Sequence, residues 1–385
     1  MEKDSIMELV QKKKRINPLC QLLGIEKPII QAPMAGNIIP AQFTADVCNA
    51  GLLGSLASGY LSFEDSLDLI VNTQKKTQNP FQLNLFIDQS DKQKNTEILR
   101  KPDELIVLEH ELNMHHNNQI GVMPEASVDA MVSLAIECDV PIISTTFGLL
   151  SPKQIKKVKK AGTILMTTIN SLADAHMAMI LNEPEVLIYQ NKLAGGHQGG
   201  FNKEEGGSVD ISDNAILALK KEYPGVLIVK SGAIVTREDI ESALRQGFDG
   251  VQIGTAFLAT NESLATAEHK QAILDTNKVC DTCFSKNVTG KSARGIKNKL
   301  MQLLLKEEPN YPQQHYATLA VRAYAKANAL KEYQALWAGT GAVKIEKIPS
   351  LNEYIESILE HPATNLNRMQ RMRYDGGATD FQRHG

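Results

Sequence analysis

The feature that most constrains this chain is a repeated alternation of short apolar runs with segments of helical period. Eight runs rich in Val, Ile and Leu are bounded by Gly, Pro or Asn: PIIQAPM (28–34), LLGSLA (52–57), FQLNLFI (81–87), PIISTTF (141–147), TILMTTI (163–169), VLIYQNK (186–192), VLIVKSG (226–232) and DGVQIGT (249–255). Short runs rich in apolar residues and bounded in this way suit strands buried on both faces, as in a parallel sheet covered by helices. The segments between them carry helix signals. In SPKQIKKVKKAG (151–162) Ser151 is an N-cap with Pro152 in the first turn, and in TREDIESALRQG (236–247) Thr236 and Asp239 form a capping box with Gly247 as the stop. Eight such alternations predict an α/β fold, a TIM (β/α)₈ barrel, for which roughly 250 residues suffice. The barrel is assigned to residues 1–260.

Two stretches exceed that repeat, and both are expected to be mostly helical. Residues 88–140 form an insertion between the third and fourth runs, and 261–361 form an appendage after the eighth, placed to act as a lid. Within the appendage ARGIKNKLMQLLLKEE, ATLAVRAYAKANALKEYQALW and PSLNEYIESILEH are amphipathic helix candidates. The polar residues 365–385 read as a frayed tail.

Bulk properties narrow the function classes. A net charge of −3 argues against nucleic acid as a partner, and the single basic run, KKKR at 12–15, reads as a solvated segment. With no signal peptide and no apolar run of ~18 residues, the expected location is the cytoplasm, with no membrane association. Five scattered cysteines do not form a disulfide framework, and the Cys280/Cys283 pair lacks the further ligands of a zinc site, so no metal is expected.

Ligands of such barrels bind at the C-terminal ends of the strands, with phosphate commonly held by the loops after strands seven and eight. Gly232 ends the seventh run, and Gly254 and Thr255 end the eighth, so backbone amides and a hydroxyl are available to an anion. After the sixth run comes AGGHQGG (194–200), where glycines around His197 present one titratable group from a loop that passes close to a flat or anionic partner. At the first run Pro33 and Met34 offer an apolar shelf for a flat ring, and at the third Asn84 offers an amide to a ring carbonyl or phosphate.

Taken together, these residues make the sequence resemble the class I nitronate monooxygenases, formerly 2-nitropropane dioxygenases, over about 28–342. The matching stretches are IIQAPMAG, NAGLLGSLASGYLS (49–62), LNLF (83–86), PEASVDA (124–130), TFG (146–148), AGGHQGG, DGVQIGTAFLATNESL (249–264), SARGI (292–296) and LWAGTGA (336–342). The resemblance implies bound FMN, with nitronate and O₂ as small-molecule partners. It implies oxidation of alkyl nitronates, propionate 3-nitronate among them, to a carbonyl compound and nitrite. Carried over by position, it implies FMN contacts at Asn84, Gln190, Gly195, Gly232 and 252–255, which include Gln252, Gly254 and Thr255, and it puts His197 over the substrate side. His197 is then a hydrogen-bond partner of the nitro oxygens, or a general base titrating near neutrality if a neutral nitroalkane enters. Tyr311, His315 and Tyr316 are candidates to close the substrate pocket.

The chain departs from the family at Gln198, where Arg is frequent, at Thr340 in WAGTGA, and in KSGAI, where Lys230 and Ala233 replace small residues. Ala233 preserves a backbone phosphate contact only with a negative φ. Lys230 either faces the flavin or meets a carboxylate between barrel and helices. The alternatives are a flavin-dependent enoyl-thioester or quinone reductase fed by NAD(P)H and, more distantly, a non-redox phosphate-binding barrel.

Overall fold

The computed structural model describes residues 17–87, 101–114, 126–202, 211–276 and 281–359. The KKKR run, His115, His116, Cys280 and the tail from 365 lie outside the described residues.

In chain order the elements are α1 (Pro18–Leu23), β1 (Ile29–Gln31), α2 (Ala41–Asn49), β2 (Gly54–Ala57), α3 (Phe63–Gln74) and β3 (Phe81–Phe86). Next come α4 (Asp103–Glu111), α5 (Val128–Glu137), β4 (Ile142–Thr146), α6 (Pro152–Ala161), β5 (Ile164–Ile169), α7 (Leu172–Leu181) and β6 (Val186–Gln190). A two-residue strand β7 (Gly196–His197) precedes α8 (Asp213–Glu222), β8 (Leu227–Ser231), α9 (Arg237–Gln246), β9 (Gly250–Ile253) and α10 (Thr255–Leu258). Beyond the barrel lie α11 (Ala267–Asp275), β10 (Thr282–Ser285), β11 (Ala293–Ile296), α12 (Gln313–Ala317), α13 (Leu319–Ala327) and α14 (Leu351–Leu359).

Every apolar run of the sequence forms a strand, and the eight pair in parallel in the order β1-β9-β8-β6-β5-β4-β3-β2. The ring closes where the Gln31 amide donates to the Leu53 carbonyl at 2.9 Å and the Leu53 amide to that of Ile29 at 3.0 Å. Register aligns Gln190 with Ser231 and Ser231 with Gln252, which brings the C-terminal ends of β6, β8 and β9 level at one rim. The expected caps are in place. Ser151 and Gln154 close a capping box, as do Thr236 and Asp239, and Gly162 and Gly247 stop α6 and α9 with φ of 71° and 109°. Each such N-cap contributes about 1 kcal/mol.

Phe257 of α10 is fully buried and meets Phe43 and Tyr354 edge-on, at centroid distances of 6.2 and 5.1 Å. Aromatic pairs of this geometry add about 0.5–1.5 kcal/mol each beyond burial. They fix α10, and with it the loop after β9, between α2 and α14.

The extra segments differ from expectation in two respects. Of the 88–140 segment, α5 is the ordinary barrel helix before β4, whereas α4 packs Leu105 and Leu108 against Ala317 and Val321 of the appendage. The run ARGIKNKLMQLLLKEE is not a helix. Its first four residues are strand β11, paired with β10 and with β7, and Leu304 is almost fully exposed. Gly295 explains the choice: a helix interior loses about 1 kcal/mol with glycine, and here a side chain at 295 would meet the Leu336 carbonyl at 2.8 Å. The second candidate is helical only over Leu319–Ala327 and ends in a 3₁₀ turn at Lys331–Tyr333, while the third is α14. Among the described residues no helix is long and apolar enough to cross a membrane.

Lys230 points away from the barrel mouth. Its Nζ lies 2.5 Å from Asp213 Oδ2 and 3.1 Å from Gln246 Oε1, over the Phe248 ring, so its partner is a carboxylate of the helix layer.

Candidate active site

A cavity of about 490 Å³ opens at the C-terminal ends of the strands, a volume typical of small-molecule sites. Ala32, Pro33 and Met34 after β1 form one wall. Residues 232–235 after β8 and Gly254 and Thr255 after β9 form the adjoining end. Ala233 has φ 58°, so the condition for keeping a backbone phosphate contact there, a negative φ, is not met: the left-handed turn is kept with alanine, at roughly 1 kcal/mol. Neighbours hold that turn. Tyr354 donates its hydroxyl to the Val235 carbonyl at 2.9 Å, and a side chain at Gly341 would come 3.2 Å from Ala233 Cα. Gly254 has room: a Cβ there would touch only the Ala32 side chain, at 3.6 Å.

The opposite side is the AGGHQGG loop, and the sequence pins it through buried polar groups. Gln190 Nε2 donates to the His197 carbonyl at 2.8 Å, and its Oε1 accepts from the Gly199 amide at 2.7 Å. Asp174 accepts from the amides of Phe201 and Asn202 at 3.0 and 2.7 Å while also closing the capping box of α7. The loop then pairs as β7 with β11, Ala293 opposite His197. Gly195 must be glycine, since a Cβ would sit 2.5 Å from the Gly339 amide nitrogen. The WAG segment thereby ties both loops together. The Gly339 amide donates to Thr255 Oγ1 at 3.0 Å and the Thr340 amide to the Leu193 carbonyl at 3.0 Å.

His197 faces the cavity among aromatic rings, with Phe147 edge-on at 5.7 Å and Trp337 at 5.4 Å. Its Nε2 is hydrogen-bonded to Thr289 Oγ1 at 2.8 Å. Part of the ring's surface looks into the cavity, but the packing around it is dense. Desolvation, with Lys291 and Arg322 nearby, pushes its pKa down to about 3. The expectation of an imidazole titrating near neutrality is therefore replaced by one that stays neutral. Lys291 sits 4.4 Å from the centre of the Phe147 ring and 4.9 Å from that of Tyr311. His315 stacks flat on Tyr60 at 3.9 Å and is held at about 3 by burial, Arg322 and His197. His269, bonded to the Trp337 carbonyl at 3.0 Å, falls to about 4 through burial.

Of the residues singled out from sequence, Met34, Asn84, Gln190, Gly195, His197, Gly232, Gln252, Gly254, Thr255 and His315 all line this one cavity. Tyr311 packs on its wall against Phe147, at 6.1 Å, and Tyr316 sits behind His315 at 5.3 Å; neither is among the lining residues. The Gln190 amide is committed to the loop, and Asn84 Nδ2 to Ser144 Oγ and Thr146 Oγ1 at 2.9 and 3.0 Å. Gln252 differs: its Oε1 is buried without a partner among the described residues. Sequence reasoning missed Thr289 and Arg322, which arrive from the appendage, and Tyr60. Tyr60 falls in the GYLS stretch and Arg322 in the ATLAVRAYAKA helix candidate, and neither pattern marks a site.

The profile of the nitronate monooxygenase family matches residues 17–361. A probable nitronate monooxygenase of Bacillus subtilis is 31% identical over 350 residues, covering 90% of this chain and 99% of that protein. Among solved structures, a nitroalkane oxidase from Streptomyces ansochromogenes is 28% identical with a TM-score of 0.76, covering 92% of this chain and 99% of the other. FabK from Thermotoga maritima, 22% identical with a TM-score of 0.68 over 92% of this chain and 99% of its own, shares the fold.

Proposed function

Because the chain belongs to the nitronate monooxygenase family, we propose that it binds FMN at the barrel mouth and oxidises alkyl nitronates with O₂ to a carbonyl compound and nitrite. Two nitronates and one O₂ balance two carbonyl compounds and two nitrites. The observation that carries this reading is a neutral histidine together with Arg322 in one cavity with two glycine-bearing strand-end loops.

The residues present suit FMN. Gly254 leaves room for a phosphate to approach backbone after β9, Gly232 holds the left-handed turn after β8, the apolar Ala32–Met34 wall suits a ring face, and the orphaned Gln252 Oε1 is an acceptor for a ring N–H. When bound, the flavin supplies the electron-transfer chemistry between nitronate and O₂. The protein supplies position and charge. A nitronate is already deprotonated, so no strong base is required, and a histidine held near pKa 3 is a poor one. Thr289 fixes the ring through Nε2, which leaves the Nδ1 edge for the nitronate oxygens. Lys291 and Arg322 raise the local affinity for the anion, while Phe147, Trp337 and the Tyr60–His315 stack exclude water.

The test is nitrite release with oxygen uptake from a pre-formed nitronate, assayed with and without NADH. Nitrite without NADH is the expected result. Rapid anaerobic bleaching of the flavin by NADH, with no nitrite, would move the reading to a reductase; a protein that takes up no flavin would move it to a non-redox barrel.

A further inference from the structure

His315 stands in the cavity wall on the short helix α12, and three neighbours fix how its ring is set. Tyr60 lies flat on the ring at 3.9 Å with the planes 10° apart, Tyr316 meets it edge-on at 5.3 Å, and Arg322 reaches its Nδ1 edge. The residue is 4% exposed, and it borders the cavity. A half-turn of the ring in its own plane of stacking would put a carbon where Arg322 now meets Nδ1, so each nitrogen has a set direction.

The place of the ring proton follows from these partners. Arg322 Nη2 lies 3.4 Å from His315 Nδ1 while donating to the His315 carbonyl at 2.8 Å, and its Nε donates to Thr318 Oγ1 at 3.0 Å. A guanidinium donates and never accepts, so Nδ1 is the acceptor and carries no proton. Burial first, then Arg322 and His197, hold the ring neutral, and a neutral imidazole with a bare Nδ1 keeps its one proton on Nε2. That N–H has no partner among the described residues. His197 is one of the groups His315 senses, so the two imidazoles share one neighbourhood. A nitronate is planar with two charged oxygens, and the edge of His197 serves one of them.

We propose that His315 is a second hydrogen-bond donor to the substrate, its Nε2–H binding one nitronate oxygen beside His197, with Arg322 and Tyr60 as positioning residues that fix its tautomer and its ring plane. This rests on the nitronate reading for the identity of the acceptor. A cation at Nδ1 also draws electron density from the ring, which strengthens Nε2–H as a donor. The ring is therefore more than a wall against water.

Two measurements on the flavin-loaded protein test it. In the native protein, nitrogen NMR of ring-labelled histidine should show His315 with a bare Nδ1 and a protonated Nε2. Adding butyrate, which has the shape of propyl 1-nitronate and does not react, should move the Nε2–H proton downfield, and Arg322→Met should mix the two tautomers. In turnover of propyl 1-nitronate, His315→Phe keeps the stack on Tyr60 and removes the donor; kcat/KM is expected to fall roughly 10- to 100-fold with flavin content unchanged. His315→Gln, whose amide N–H reaches the place of Nε2, should recover most of that loss. Native activity in the phenylalanine variant, or equal losses in both variants, would overturn the proposal by leaving the ring a packing role. A proton on Nδ1, or an Nε2–H that butyrate does not move, would overturn it too, and these readings need no variant to fold. If the native protein releases no nitrite from the nitronate, yet butyrate moves Nε2–H and binds less tightly to His315→Phe, the nitronate reading fails and the oxyanion donor stands.

Discussion

The two sides of the cavity are built differently. The loops after β8 and β9 meet a ligand with backbone and small residues, so their character is set by where glycines fall: Gly232 at φ 118°, and Gly254, whose missing side chain leaves open space. The side around His197 is built from side chains that four segments bring together: Phe147 from the end of β4, His197 from β7, Thr289 and Lys291 from the β10–β11 hairpin, and Arg322 from α13. The first side is local, tolerant of sequence and suited to a cofactor that many enzymes share. The second is non-local and charged, and on the proposed function it selects the molecule to be oxidised. This division separates loss of cofactor from loss of turnover.

The largest effect is expected at Gly254. The Cβ of Gly254→Val meets only the Ala32 side chain, in ordinary contact, and its methyl groups are expected to fill the phosphate approach. Flavin content of the purified variant should fall to near zero with an unchanged melting temperature, and retained flavin would put the phosphate elsewhere. Next comes His197→Ala, which should keep flavin and lose about 10²-fold in kcat, the scale of one preorganised hydrogen-bond donor; flavin loss would blur the division of labour. Thr289→Val keeps the volume and frees the ring, and about a tenfold loss in kcat is expected, with flavin affinity unchanged. Lys230→Met should be the smallest. Its ion pair with Asp213 is partly exposed, so about 1 kcal/mol of stability is at stake in denaturant unfolding, and the flavin spectrum should not change.

The same contrast explains what was legible in the sequence. Eight runs rich in Val, Ile and Leu and of strand length suit buried strands, and capping residues such as Ser151 and Thr236 mark helix starts locally, so the barrel was readable end to end. Gly232, at φ 118°, answers to backbone geometry at its own position, whereas Gly195 answers to the backbone of Gly339, a non-local neighbour that only the fold brings near. Arg322 was not legible. On α13 it reads as the polar face of an amphipathic helix, and nothing in the local pattern says that this face borders a cavity. Strand β11 was misread as the start of a helix because the LMQLLL that follows it has helical spacing, while the strand character of ARGI comes from pairing with β10 and with β7, the latter a non-local partner. The state of His197 was misjudged because its burial, and its proximity to Lys291 and Arg322, exist only after folding.

The central claim is that this site takes a pre-formed anion and that its histidine stays neutral. It is tested most directly by kcat/KM between about pH 5.5 and 8 for propyl 1-nitronate and, separately, for neutral 1-nitropropane. A histidine held near 3 is unprotonated across that whole range, so the nitronate profile should show no ionisation of His197, and nitropropane should react no faster than it ionises in solution. Enzymatic turnover of neutral nitropropane, with a limb near pH 6.5 that disappears in His197→Ala, would contradict the account by making the histidine a general base.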